Sequence, residues 1–171
     1  LDLQGNGGGY LNIAIELADE FLNKDKLIVY TEGNKQPRDE AKSTARGGFE
    51  EGRLVVLVDE SSASASEILA GAVQDWDRGV VVGRRTFGKG LVQKPIPMPD
   101  GSMIRLTVAR YYTPTGRSIQ KHYENGKLED YQHDLIDRYN RGELMSADSI
   151  HFPDSMKYNT LETKRIVYGG G

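Results

Sequence analysis

The sequence predicts an α/β fold, and three observations predict it. Leu54 to Val58 (LVVLV) is a continuous apolar run of the kind a strand shows when both its faces are buried in a parallel sheet. Gly79 to Gly83 (GVVVG) is a second such run. Between them Ala65, Ile68, Leu69, Ala72, Val73 and Trp76 recur at helical spacing. The result is a strand–helix–strand unit, expected to cross over right-handed. A chain of 171 residues fits one domain and can bury a core without a metal or disulfide staple.

The other elements follow in order. Leu1 to Leu3 reads as the tail of a strand, and Gly5-Asn6-Gly7-Gly8-Gly9 as a tight turn. Leu11, Ala14, Ile15, Ala18, Phe21 and Leu22 predict an amphipathic helix over 10–23. Leu27 to Tyr30 is a short β-branched run and reads as a strand. Residues 31–52 are polar and mixed in charge, and read as an exposed loop. Residues 91–97 and 103–112 flank Pro99-Asp100-Gly101, which predicts a β-hairpin. Tyr131, Leu135, Ile136 and Tyr139 predict a helix over 130–141, followed by an irregular extension and a final strand at 165–168. The chain opens without Met and ends in three glycines, so it is expected to be a truncated piece of a longer protein.

Composition excludes several classes of function. A net charge of −3 gives no electrostatic footprint for nucleic acid. The absence of cysteine removes disulfides and a thiol nucleophile. No apolar run is long enough to span a bilayer. His122, His133 and His151 are too scattered for a metal site, and no cofactor motif is present.

Ser64 stands at the predicted strand-to-helix junction. A helix N-terminus offers unpaired N–H groups and the positive end of a dipole, which suits a nucleophile whose reaction develops an oxyanion. The amide of Ala65 is placed to meet that oxyanion. Ser64-x-x-Glu67 is also a capping box, and on these residues alone the structural cap is the stronger reading. Ser61, Ser62 and Ser66 leave the choice of nucleophile open.

Lys89 lies six residues beyond a core strand, between Gly88 and Gly90. Acting as a base near neutral pH would require its pKa to fall from about 10.4 to roughly 7–8, a differential interaction of about 4 kcal/mol. Only a desolvated site supplies that, so burial of Lys89 is expected. Gly83-x-x-x-x-Gly88-Lys89 also matches most of a phosphate-binding loop. That motif needs Ser or Thr next and then a helix, whereas Gly90, Pro95 and Pro97 follow here. The glycine run 5–9 lacks dinucleotide-binding spacing, because Tyr10 takes the last glycine position.

Four segments together resemble the C-terminal processing peptidases, or tail-specific proteases. They are Asp2-Leu3-Gln4-Gly5-Asn6-Gly7-Gly8-Gly9, Ser62-Ala63-Ser64-Ala65-Ser66-Glu67-Ile68, Thr86-Phe87-Gly88-Lys89-Gly90 with Gln93, and Tyr111 to Gln120. Their order and spacing also agree with the family, over about residues 1–120. Gln4 departs from the family's Arg.

The resemblance implies a crotonase/ClpP-like α/β core and a Ser-Lys serine peptidase. It selects Ser64 as nucleophile and Lys89, 25 residues on, as general base. Gln93 would orient the lysine, and the Ala65 and Gly8 amides would form the oxyanion hole, with Gly9 the neighbouring alternative. It further implies flexible protein or peptide segments as substrates, a bacterial periplasm or cell envelope as location, no cofactor, and a PDZ domain and first strands upstream of Leu1. A non-catalytic peptide-binding relative and a crotonase-like enzyme acting on an acyl thioester are the alternative functions. Oligomeric state stays open, homo-oligomers included.

Overall fold

The computed structural model describes residues 1–123 and 128–171. After an extended start come α1 (Leu11–Asp19), β1 (Leu27–Gly33), β2 (Gln36–Lys42), β3 (Val55–Val58), α2 (Ala65–Asp75) and β4 (Val80–Gly83). The long hairpin β5 (Leu91–Pro97) and β6 (Met103–Tyr112) follows, then α3 (Leu128–Asn140). Two single 3-10 turns (Ala147–Ser149 and Asp154–Met156) lead to the short strands β7 (Lys157–Asn159) and β8 (Ile166–Tyr168). Among the described residues no helix is long and apolar enough to cross a membrane.

The two apolar runs pair as predicted, in parallel, with Val55 opposite Val80 and Val58 opposite Gly83, but the burial expected on both faces is not found: Val56 and Val58 face the core, whereas Val55, Val80 and Val82 are exposed on the side away from α2. Leu1 to Leu3 extends this sheet, because Leu3 N–H donates to Leu57 O and Leu57 N–H to Leu1 O (both 2.9 Å). α2 covers one face. It is buried along nearly its whole length, which small residues permit: a Cβ on Gly71 would stand 2.8 Å from Thr113 Cγ2. Leu3, Ala18, Leu22, Ile28, Val56, Ile68, Leu69, Val73 and Ile119 form the core between α1, α2 and the strands.

Three boundaries differ from expectation. α1 stops at Asp19, because the chain turns (Phe21 N–H to Ala18 O, 3.1 Å) to bury Leu22. Residues 36–42, expected within an exposed loop, form strand β2 of a hairpin with β1. Its side chains are mostly exposed, so only backbone pairing defines it and no apolar alternation marks it. The C-terminal extension is more ordered than expected, with β7 and β8 paired antiparallel. Antiparallel pairing of β1 with β6 joins both hairpins into one sheet, β2-β1-β6-β5, with the Tyr30 and Tyr112 rings stacked across the join.

The end of α2 is an anchor for later chain. Asp75, fully buried, accepts from Arg117 Nη2, Thr115 N–H and the Thr115 hydroxyl, so the 111–120 segment is pinned to the helix. Asp77 adopts a left-handed conformation (φ 53°) just past the helix and receives Thr163 N–H (2.8 Å), the Thr163 hydroxyl (2.7 Å) and Arg165. Burial alone would raise the Asp77 carboxyl, but these donors hold it well below its ordinary value. A depressed folded pKa contributes stability that is complete above the unfolded value near pH 4 and is lost as pH falls through the folded one. Asp77→Ala is expected to cost about 2–3 kcal/mol at pH 7 and much less at pH 2, measured by urea unfolding at both.

Candidate active site

The turn from β3 into α2 is built on hydrogen bonds that commit most of its hydroxyls. Ser62, fully buried, donates to Leu3 O (2.7 Å) and accepts Asp59 N–H (2.9 Å). Ser66 donates to Asn6 O (3.0 Å). Asp59 accepts the N–H groups of Gly5, Ser61 and Ser62. Burial pushes its carboxyl up, but these donors prevail and hold it below its usual value. Two serines are thereby assigned to structure, Ser61 is exposed, and Ser64 stands half-buried at the head of α2.

Ser64 does not have the backbone of an ordinary cap. Its φ of 57° and ψ of −114° lie outside the extended region where N-caps sit. For a residue with a Cβ this is strained, a cost of order 1–3 kcal/mol that recurs at active sites. A sharp strand-to-helix turn of this kind presents a nucleophilic serine at the top of a sheet. Glu67 N–H bonds the Ser64 carbonyl oxygen (3.0 Å) and also faces the Ser64 side chain, while the Glu67 carboxylate accepts Ser64 N–H, so the capping box expected from the sequence is formed on this unusual backbone. Ala65 follows with the first amide of the helix.

The glycine turn packs directly on this junction. Asn6 O accepts Ala63 N–H (3.0 Å) as well as the Ser66 hydroxyl. At Gly8 (φ +91°) a Cβ would stand 2.5 Å from Ala63 O, 2.8 Å from Ala65 N and 2.9 Å from Ser64 Cβ, so only glycine fits. Gly8 N–H is held by Asn6 Oδ1 (2.9 Å), whereas Gly9 N–H has no hydrogen-bond partner among the described residues. An apolar cleft of about 130 Å³ opens beside Ala65, walled by Leu3, Tyr10, Ile13, Leu17 and Leu69. Neither this cleft nor a larger one of about 310 Å³ between α2 and β8 is lined by Ser64 or Lys89.

The loop 84–90 brings the Lys89 backbone to the same turn, and no hydrogen bond joins the Lys89 amine to the Ser64 hydroxyl among the described residues. Phe87 N–H donates to Ser62 O (3.0 Å). A Cβ on Gly88 would meet Lys121 Cβ at 2.7 Å and one on Gly90 would meet Gln120 N at 2.4 Å, so both glycines are needed for close approach. After Gly90 the chain enters β5, not a helix, which is the wrong geometry for a phosphate-binding loop.

The residue that unites the two segments was legible in the sequence only as half of a capping box. Glu67 is 5% exposed. Its Oε2 accepts Ser64 N–H and Lys89 N–H, both at 2.8 Å, so those two nitrogens lie no further apart than twice that distance. Its Oε1 accepts Gly88 N–H (2.6 Å) and the Thr86 hydroxyl (2.7 Å). Burial pushes the Glu67 carboxyl up, and these four donors pull against it. An acidic residue in the first turn of a helix whose next six residues, Ile68 to Val73, are buried small or apolar side chains was the available signal.

Two expectations need correction or detail. The Lys89 side chain is exposed, where a neutral base was expected to be buried; the described residues flank it with glycines but do not cover it. Gln93 is exposed on β5 and its amide reaches across the hairpin toward Thr107 Oγ1 (3.5 Å).

Comparison with known proteins places the chain in a family. Residues 1–133 match peptidase family S41. A carboxy-terminal-processing protease of Bartonella bacilliformis is 49% identical over 122 residues, 70% of this chain and 28% of the relative. A carboxyl-terminal-processing protease of Picosynechococcus is 47% identical over 121 residues, 71% of this chain and 29% of the relative. A chloroplastic C-terminal processing peptidase of Tetradesmus obliquus is 40% identical over 121 residues, 71% and 26% respectively. Among solved structures, the photosystem II D1 C-terminal processing protease superposes with a TM-score of 0.66 at 40% identity, over 70% of this chain and 31% of that one. The chain thus spans under a third of the length of these relatives.

Proposed function

This chain belongs to peptidase family S41, and we propose that it carries the Ser64–Lys89 pair of a serine peptidase cleaving flexible or C-terminal segments of proteins. The observation that carries the reading is the single carboxylate oxygen of Glu67 that receives both the Ser64 and the Lys89 amide, with Ser64 held in a strained backbone. The parallel pair with α2 on one face supports a crotonase/ClpP-like core.

In the proposed reaction the neutral Lys89 amine takes the Ser64 proton as Oγ attacks the scissile carbonyl carbon. The C–N bond breaks, Lys89 returns the proton to the leaving amine, and an acyl ester remains on Ser64. Lys89 then deprotonates a water that attacks this ester, and the serine is regenerated. Ala65 N–H holds the oxyanion together with the glycine turn. Gly8 supplies the close approach, and its amide reaches the oxyanion once Asn6 Oδ1 releases it; the Gly9 amide beside it is already unpartnered. Because Lys89 is exposed, bound substrate must cover it in this reading. Gln93 orients the lysine after leaving Thr107. The cleft beside Ala65 suits an apolar substrate side chain. A bacterial cell-envelope location goes with this reading.

Lys89→Ala in the protein at its natural length is expected to lower kcat on an unfolded protein substrate by about 10³-fold or more, with unchanged unfolding. Lys89→Arg should be equally inactive, since a guanidinium does not give up its proton. Wild-type turnover by Lys89→Ala would remove Lys89 from the mechanism.

A further inference from the structure

The chain from Lys121 to Gly169 leaves the core and returns to nearly the same point. It departs where Lys121 N–H donates to Gly88 O (2.9 Å) and comes back where Gly170 N–H donates to Ser118 O (2.9 Å). The match to the family ends within this excursion, at residue 133. On its way the excursion touches each residue from Arg85 to Gly88, the stretch just ahead of Lys89. Arg85 Nη2 donates to Gly170 O (3.1 Å), and Lys121 Nζ stands 4.6 Å from the centre of the Phe87 ring.

The strongest of these contacts comes from α3. Arg138 is 1% exposed and donates from Nη1 to Thr86 O (3.0 Å) and from Nη2 to Arg85 O (2.5 Å). Its Nε faces Glu143 Oε2 at 3.4 Å without closing a hydrogen bond. Glu143 also pairs with Arg85 (3.6 Å) and Arg141 (3.0 Å), so one carboxylate balances three guanidinium groups. Burying a guanidinium is costly, and its planar fork holds acceptors in fixed directions. Here the fork holds two successive backbone carbonyls, whose peptide planes set the course of the chain into Gly88 and Lys89. Glu67 grips the same loop through Thr86, Gly88 and Lys89.

We propose that Arg138 is a positioning residue for the reaction: by fixing the Arg85 and Thr86 carbonyls it sets where Lys89 stands relative to Ser64. The proposal rests on the Ser64–Lys89 reading. It extends the active site to a helix reaching beyond the family match, and makes the 121–169 excursion a brace for the base loop.

The test uses Arg138→Met and Arg138→Lys in the protein at its natural length, with Lys157→Ala as a control in the same excursion, at an exposed pair with Asp154. Steady-state kinetics on a peptide substrate are read beside hydrogen–deuterium exchange of peptides covering 84–90 and 65–75. Arg138→Met is expected to lower kcat about 10²-fold with KM within about twofold, because small misplacements of a catalytic group cost that much. Exchange should speed up in 84–90 and stay unchanged in α2, with partial recovery in Arg138→Lys and none of these effects in Lys157→Ala. Wild-type kcat and wild-type loop exchange in a folded Arg138 variant would overturn the proposal. If the Met variant does not fold, the Lys variant decides by the same readings, with a loss of about tenfold expected. Faster exchange everywhere with normal kcat would mean a merely structural residue and overturn it too. An active Ser64→Ala protein would instead remove the underlying catalytic reading, and the loop-exchange result separates the two failures.

Discussion

Replacing Ser64 with alanine is expected to abolish peptidase activity, a loss in kcat/KM of about 10³-fold or more, while leaving the fold intact. The companion variant Ser64→Gly should be equally inactive and more stable. Ser64 holds φ 57° and ψ −114°, a region glycine enters without strain. Relief of about 1–3 kcal/mol of strain, less the extra chain entropy of glycine, leaves a gain of about 1 kcal/mol. For a chain of this size that raises Tm by roughly 2–4 °C. A serine that served only as a helix cap would behave in the opposite sense, losing stability on substitution and keeping activity. Calorimetry and a peptide-cleavage assay on the two variants distinguish these cases. An active Ser64→Gly protein would end the nucleophile reading.

Glu67→Gln is expected to be as damaging as a larger truncation, although it changes the side chain by a single group. Each carboxylate oxygen accepts two donors. A carboxamide offers one acceptor oxygen, and its favoured orientation keeps that oxygen on the Ser64 and Lys89 amides while its NH₂ donates to the Thr86 hydroxyl, which turns to accept, and faces the Gly88 amide. That one buried donor left unsatisfied, together with the lost carboxylate charge, costs about 2–4 kcal/mol, with activity lost in parallel. Urea unfolding measures the first and kcat the second. A Glu67→Gln protein with native stability and turnover would show that the carboxylate does not join the serine turn to the lysine loop.

Much of the framework was legible in sequence. The runs 54–58 and 79–83 paired as parallel strands, the hairpin 91–112 formed around its Pro-Asp-Gly turn, and the helix between the runs is buried as its small and apolar residues demanded. These elements are written in side-chain type and turn chemistry, but the burial of both faces that the two apolar runs predicted is not, since Val55, Val80 and Val82 are exposed. β2 was not legible, because its residues are solvated and its existence depends on backbone bonds to β1. The exposure of Lys89 was not legible either, since glycine flanks predict close backbone approach and say nothing about what covers the amine.

The candidate site divides in the same way. Ser64, Lys89 and the glycine turn could be picked out only through the joint order and spacing of segments that resemble a known family, since on local residue type alone Ser64 read as a helix cap. That Glu67 reaches on to the Lys89 amide and that Arg138 grips Arg85 and Thr86 depend on residues that lie 22 to 53 positions apart in the chain. By itself, then, the sequence determined the inventory of reactive groups and the elements that carry them, through hydrophobic pattern and turn chemistry. Only the tertiary structure decided which buried donor meets which acceptor, since a hydrogen bond is made or lost over a few tenths of an ångström and no local pattern encodes a partner brought in from elsewhere.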